Sequence, residues 1–407
     1  MGISKTKNVV FSVFLTVLFF TVIELCARVY FYATTFNSNH LLFGLVADES
    51  KHNNLKDGYF KFFPDKILYQ GTSSHTIPTK INSHGFRGQD FSITKGEGRR
   101  VVAMGGSSTF GYYSRDDYTY PSIMQSYLNE PGKTTERYEV INVGIPHMQT
   151  RHIVKMLGAE VLSFKPDVIT LYIGCNDTWH LYSLFETQAR QNMGSVASFM
   201  TATKKKLIRR SLAFKKINDL FINSDVSSFR FKHKNADDGL NKTVTYLYTS
   251  EKIGKEDIAK FSKMVRDQYE SNLQQIAEMS MENGIELLFV KQKYSLNKLR
   301  SRAESSSLPY ASASSYYDEV KMAEERLQRQ GWLWLEEASI LTHAMLIEAM
   351  VMVAEKNHIR ILDGISALDG NPEYLKSYVH LSEEGNAVLA RLIADEVAKL
   401  FVIEKAL

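Results

Sequence analysis

Hydrophobic positions along the chain change their period several times, and each change marks an element. Residues 101–104, Val-Val-Ala-Met, run straight into Gly105, Gly106, Ser107, Ser108 and Thr109, the pattern of a buried strand that ends in a tight turn. Residues 138–142 form a second short strand that closes on Gly144. Residues 168–173, Val-Ile-Thr-Leu-Tyr-Ile, are apolar without alternation, as in a strand covered on both faces, and end in Gly174, Cys175, Asn176 and Asp177. The period then becomes helical over 258–283, with Tyr269, Leu273, Ile276 and Met279 on one stripe and Gly284 as the stop. Residues 285–290 and 359–362 read as further strands, the latter followed by Asp363. Strand alternating with helix predicts an α/β domain, a three-layer sandwich with a mainly parallel sheet covered on both faces.

The N-terminus follows another pattern. Residues 9–23 carry no charge, continue through Leu25, Cys26, Ala27 and the aromatic run 29–32, and are preceded by Lys5 and Lys7. This reads as one transmembrane helix with its N-terminus in the cytoplasm. Glu24 and Arg28, four residues apart, are spaced to pair on a helix. The expected organisation is a cytoplasmic tail over 1–7, an anchor over 8–36, a tether over 37–97 and a domain over 98–403 outside the cytoplasm, hence periplasmic or otherwise extracytoplasmic. A cleaved signal peptide is the alternative, although no small-x-small cleavage site follows the apolar run. The first six residues also fit an N-myristoylation pattern, read here as chance.

Composition narrows the function classes. The 407 residues carry a formal charge of +4, too mild a basicity to argue for nucleic acid. The two cysteines, Cys26 in the apolar segment and Cys175 after the third strand, are not expected to pair. The sequence has no metal-spaced Cys/His cluster, no phosphate-loop pattern and no dinucleotide fingerprint, so neither metal nor cofactor is expected. Two insertions interrupt the domain, near 179–260 and 295–330. The first carries Lys204, Lys205, Lys206, Arg209, Arg210, Lys215 and Lys216 among apolar residues. A solvated helix face is its plainer reading, and a cap touching anionic lipid or a polyanionic glycan is the functional one.

Chemistry is expected where strands end, because open α/β sheets place their sites at the carboxyl edge. Ser107, lifted on a glycine turn, has the placement of a nucleophile. Tyr378, Val379, His380, Leu381 and Ser382 lead into the last helix and supply a histidine. These blocks, in this order over roughly 98–403, resemble the SGNH (GDSL-like) hydrolase family, named for its Ser, Gly, Asn and His residues. Gly105-Gly106-Ser107 stands where the family has Gly-Asp-Ser, Gly144 at its second-block glycine, Gly174 to Asp177 at its Gly-x-Asn-Asp, and His380 at its histidine. The segment Asn82 to Gly88 also looks like the approach to the domain in membrane-tethered bacterial members. The resemblance implies a flavodoxin-like three-layer fold and acyl transfer. Ser107 and His380 would be catalytic, and the oxyanion hole would comprise the Ser107 and Gly144 backbone amides and the Asn176 side chain.

Two positions depart from the family pattern. Gly106 replaces the aspartate before the serine, a form that many anchored members share. Ser377 stands three residues before His380, where the family has the aspartate that orients the ring. The remaining orienters are Ser377 itself, a backbone oxygen, or a displaced carboxylate from Asp363, Asp369 or Glu373. A Ser-His dyad is ranked ahead of a displaced triad. His147, His152, Asp177, Cys175, Ser108 and Thr109 are read first as packing or bracing residues.

The resulting expectation is a membrane-anchored serine esterase or acylhydrolase acting on an acyl ester, with an O-acylated envelope glycan or a lipid as partner. An O-acyltransferase on the same scaffold and a catalytically weak glycan-binding or assembly protein are the alternatives.

Overall fold

The computed structural model describes residues 2–35, 51–54, 59–62, 64–72, 75–134, 136–191, 246–248, 251–301, 310 and 312–402. They divide into two compact units, Ser50–Phe185 with Phe229–Leu407, and Met1–Glu49 with Glu186–Ser228. The basic cluster at 204–216 lies outside the described residues, as do 302–309 of the second insertion.

The larger unit is built on a five-stranded parallel sheet: β1 (Arg99–Gly105), β2 (Tyr138–Asn142), β3 (Val168–Tyr172), β4 (Glu286–Val290) and β5 (Arg360–Leu362). Their spatial order is β5-β4-β3-β1-β2. The chain therefore moves outward from β1 to β2 and then returns past β1 to build the rest of the sheet. That reversal makes a switch point between β1 and β3, where the connections diverge and where open α/β sheets place their ligand sites. Gly105 pairs with Tyr172 across it, so the Ser107 turn and the Asn176 block leave the sheet side by side.

Alternation along the strands sorts side chains between two cores. Val101 and Ala103 of β1, Val168 and Tyr172 of β3, and Leu288 and Val290 of β4 join Tyr120, Met124, Leu389, Ile393 and Val397 on one face. Val102, Met104, Ile169, Leu171, Leu287 and Phe289 join Ile153, Met156, Leu273, Ile276, Leu346 and Met350 on the other. Helices Tyr120–Leu128 and Glu383–Val402 cover the first face, and Thr150–Ala159, Lys255–Glu282 and Leu335–Lys356 the second. Removing one such side chain leaves a cavity in close-packed surroundings; for leucine or isoleucine to alanine the cost is about 2–5 kcal/mol. The expected three-layer parallel α/β architecture is the one observed.

Part of the segment read as a tether is integral to this unit. Lys66–Thr72 and His75–Ile81 form an antiparallel hairpin, and Tyr59, Phe62, Ile81 and Phe86 bury themselves in the second core.

Gly2–Thr35 is a continuous helix in which Arg28 Nε donates to Glu24 Oε1 at 3.0 Å, the pair that their spacing predicted. Phe14, Phe19 and Phe20 are exposed on it. Among the described residues, the one helix long and apolar enough to cross a membrane is Leu335–Lys356, and 72% of its apolar window is buried in the fold, as suits a core helix. The apolar stretch Phe14–Cys26 of the N-terminal helix is shorter.

Candidate active site

Ser107 opens the short helix Ser107–Phe110 directly after β1. The two preceding glycines have steric causes. A Cβ on Gly105 would lie 2.4 Å from the Tyr172 carbonyl oxygen, and one on Gly106 would lie 2.7 Å from Asn176 Nδ2. Gly106 thus leaves room for the Asn176 amide beside the turn, and a side chain there would require that amide to shift.

The two hydroxyls after Ser107 fix the turn to its surroundings. Ser108 Oγ donates to the Val379 carbonyl at 2.9 Å, tying the turn to the His380 loop. Tyr120 OH donates to Thr109 Oγ1 at 3.2 Å. Arg87, buried, donates to the carbonyls of Phe110 at 2.9 Å and of Gly111 and Ser114, each at 2.7 Å, so it clamps the far end of the same short helix. Gln292 joins the neighbouring block by accepting from Cys175 N at 2.8 Å.

The chain brings Ser107 and His380 together across 273 positions, with His380 Nε2 2.8 Å from Ser107 Oγ. His380 Nδ1 is 2.7 Å from Ser377 Oγ. Of the side chains proposed as orienters, Ser377 is the one that the described hydrogen bonds place at the ring. Asp363 accepts from Ser366 N at 3.0 Å as the cap of helix Gly364–Leu368, with Lys291 Nζ 3.5 Å away. Asp369 is bonded to Lys293 and accepts from Tyr316 N. Glu373 is exposed on the turn Pro372–Tyr374. Asp363 and Asp369 are held by capping and ion pairing and Glu373 is exposed, and among the described hydrogen bonds none of the three reaches the ring.

Burial, with a smaller contribution from His147, pushes the His380 pKa down to about 3. The ring is therefore neutral at ordinary pH, a precondition for a base, and its Nδ1 meets a hydroxyl at the position where the family pattern has a carboxylate.

The three expected oxyanion donors are not equivalent. Ser107 N–H has no acceptor among the described residues. Asn176 Nδ2 gives one hydrogen to the Met148 carbonyl at 2.9 Å and retains the other. The Gly144 N–H departs from expectation, since it donates to Asn142 Oδ1 at 2.9 Å. Gly144 instead has a steric role: a Cβ there would lie 2.3 Å from Phe110 N, in the helix that carries Ser107.

Asp177 braces the site from behind. Its Oδ1 accepts from Thr150 N at 3.0 Å and Thr150 Oγ1 at 2.6 Å, holding the start of helix Thr150–Ala159, while desolvation raises its pKa to about 7. Cys175 is buried, and desolvation raises its thiol pKa, so it is not an activated thiolate. His152 Nδ1 accepts from Gln149 N at 3.1 Å in the cap of the same helix. His147 packs at a tilt against Trp179, ring centroids 5.1 Å apart.

Several residues at the site carried no sequence signal. Tyr112 and Tyr113 flank the His380 ring with centroids at 5.3 and 5.4 Å. Tyr113 adopts φ 73° and its N–H donates to Gln70 Oε1 at 3.0 Å, so the hairpin sets that wall. An adjacent tyrosine pair has no distinguishing period, and only the fold reveals what it faces. Arg87 lay within the approach segment, but its role as a clamp was not foreseeable from that block.

Residues 103–279 match the model of the GDSL-like lipase/acylhydrolase family, a span that includes Ser107, Gly144 and Asn176. No curated protein matches the chain. Among solved structures it is similar to the lipase/acylhydrolase from Enterococcus faecalis, at 15% identity over 74% of this chain and 96% of that one, with a TM-score of 0.38. A GDSL-like lipase from Bacteroides thetaiotaomicron VPI-5482 gives 13%, 76%, 89% and 0.36 for the same measures. The acetyl xylan esterase AlAXEase gives 16%, 73%, 99% and 0.39. The family model matched across the first three blocks, on a parallel α/β sheet that carries all four in order, supports a GDSL-like lipase/acylhydrolase domain in this chain.

Proposed function

We propose that this protein is a serine esterase, anchored in the membrane by its N-terminal helix with the α/β domain outside the cytoplasm, and that it acts on an O-acyl ester such as an acylated envelope glycan. The observation that carries the catalytic part is the 2.8 Å approach of His380 Nε2 to Ser107 Oγ at the switch point of the sheet. The basic start and apolar run of the first helix support the anchor.

In the reaction, Ser107 Oγ attacks the ester carbonyl as its proton passes to His380 Nε2. The carbonyl oxygen gains the electron pair and is met by the Ser107 N–H and the unused Asn176 N–H. Collapse breaks the bond to the alcohol, which leaves with the proton from His380. Water then repeats the sequence on the acyl-serine and releases the acid. If a sugar hydroxyl replaces water, the same steps make an O-acyltransferase.

A second reading, a weakly catalytic glycan-binding protein, is favoured by one observation: His380 Nδ1 meets a neutral hydroxyl rather than a carboxylate. The purified protein incubated with an activated acyl ester, with and without glycan acceptors, separates the readings. Release of free acid supports the esterase, and acyl transferred to glycan supports the transferase. Neither product, together with retained glycan binding, contradicts both catalytic readings. Protease added outside spheroplasts digests the domain if the topology is correct; full protection contradicts it.

A further inference from the structure

We infer that Ser377 holds His380 in the tautomer that carries its proton on Nε2, so that the resting site presents Ser107 with a donor rather than a base. Only the consequence for rate rests on the esterase reading.

A serine hydroxyl has one hydrogen to donate and two lone pairs with which to accept. Ser377 Oγ lies 3.1 Å from the backbone N of His380 and 3.4 Å from that of Val379, groups that can only donate. Its remaining neighbour is His380 Nδ1, at 2.7 Å. Ser377 is fully buried, and among the described residues no other acceptor bonds to its hydroxyl. With both lone pairs directed at backbone N–H groups, the hydroxyl hydrogen points to Nδ1, which is then the unprotonated ring nitrogen. A neutral imidazole has one N–H, and it is left on Nε2, donated to Ser107 Oγ. The opposite tautomer would make Ser377 Oγ accept three N–H groups and strand its own hydrogen in the interior.

Protonating both nitrogens would avoid this choice, but burial opposes the charge. Around the ring, the tyrosines Tyr112, Tyr113 and Tyr378 pack against it, and His147 disfavours its positive form. Before Ser107 can be deprotonated, a proton must leave Nε2, one must arrive at Nδ1 through water, and the Ser377 hydroxyl must turn away. An aspartate at this position accepts only, so it would fix the proton on Nδ1 and free Nε2 to act as base. Ser377 is thus a positioning residue that keeps the site in a slow resting form.

The test is long-range 1H–15N correlation at neutral pH on the full-length protein labelled with 15N in its histidine rings, with His380→Gln identifying the signal. Expected is a pyrrole-like Nε2 and a pyridine-like Nδ1. Ser377→Thr, which keeps the hydroxyl, should retain that pattern. Ser377→Asp should reverse it and raise kcat by on the order of a hundredfold to ten-thousandfold, the inverse of the loss when a triad aspartate becomes an amide. Its acid limb in the pH profile should also move up from near 3 toward the ordinary histidine range, because a carboxylate now stabilises the imidazolium. A protonated Nδ1 in the wild-type spectrum overturns the inference whatever the activity. Reversal in Ser377→Asp without a rise in kcat overturns the claimed effect on rate. An Nε2–H ring without Ser107-dependent turnover in either protein leaves the tautomer standing and overturns the esterase reading instead.

Discussion

The two halves of the site are held by different means. On the nucleophile side, backbone and sterics leave Ser107 little freedom: glycines at 105, 106 and 144 admit neighbours that any Cβ would strike, and Arg87 and Ser108 tie down the turn. On the histidine side, the ring is equally well placed, but what holds it is a hydroxyl whose lone pairs face backbone N–H groups, leaving it to donate to Nδ1. Geometry is settled on both sides, whereas the direction of the proton is settled on neither Ser107 nor His380 but on Ser377. A site can therefore have family geometry and still differ in its resting protonation.

The largest expected effects break the pair itself. Ser107→Ala or His380→Ala should reduce ester turnover by at least about a thousandfold, and the double variant should lose little more, because the two act as one unit. Full additivity in steady-state kinetics would separate them and contradict the shared role. On the nucleophile side, Asn176→Ala should cost about a hundred- to a thousandfold in kcat with KM nearly unchanged, the effect of deleting one oxyanion donor. A change confined to KM would make Asn176 a binding residue instead.

Gly144→Ala sharpens the distinction between steric and electrostatic roles. Its Cβ must displace the backbone at Phe110, so the variant should lose about 1–3 kcal/mol in urea unfolding and misplace Ser107. Normal stability would show that the Cβ is accommodated and contradict the steric role.

How far these roles were legible in the sequence follows the same division. The buried strands, the glycine turn and the Gly174 to Asp177 block could be read because each occupies a short run with its own period or steric signature. Ser107, Asn176 and His380 came from those blocks, and the order of elements gave the three-layer sheet. The partner of His380 could not be read, because Ser377, Asp363, Asp369 and Glu373 lie within a few turns of one another and spacing does not say which carboxylates are consumed by caps and lysines. The Gly144 amide was assigned by family position, but the Asn142 side chain two residues earlier folds back onto it. Tyr112, Tyr113 and Arg87 meet the site only through tertiary packing.

The smallest effect concerns the brace behind Asn176. Burial raises the Asp177 pKa from 3.8 to about 7, so the folded state holds a proton that the unfolded chain releases. The sign is then fixed: this group's contribution is most favourable below about pH 4 and is lost as pH rises through 7. Asp177→Asn, which keeps an acceptor for Thr150, should remove that component and make urea stability less dependent on pH between 4 and 8, by roughly 1–3 kcal/mol. Trp179, two residues away, offers a local fluorescence probe. An unchanged pH dependence would mean that Asp177 is ionised in the fold.

The central claim, that Ser107 is the nucleophile, is tested most directly by a fluorophosphonate probe, which bonds covalently to an activated serine. The full-length protein should gain one adduct in its intact mass, peptide mapping should locate it on Ser107, and Ser107→Ala should not react. Labelling that persists in Ser107→Ala, or maps to another serine, contradicts the account.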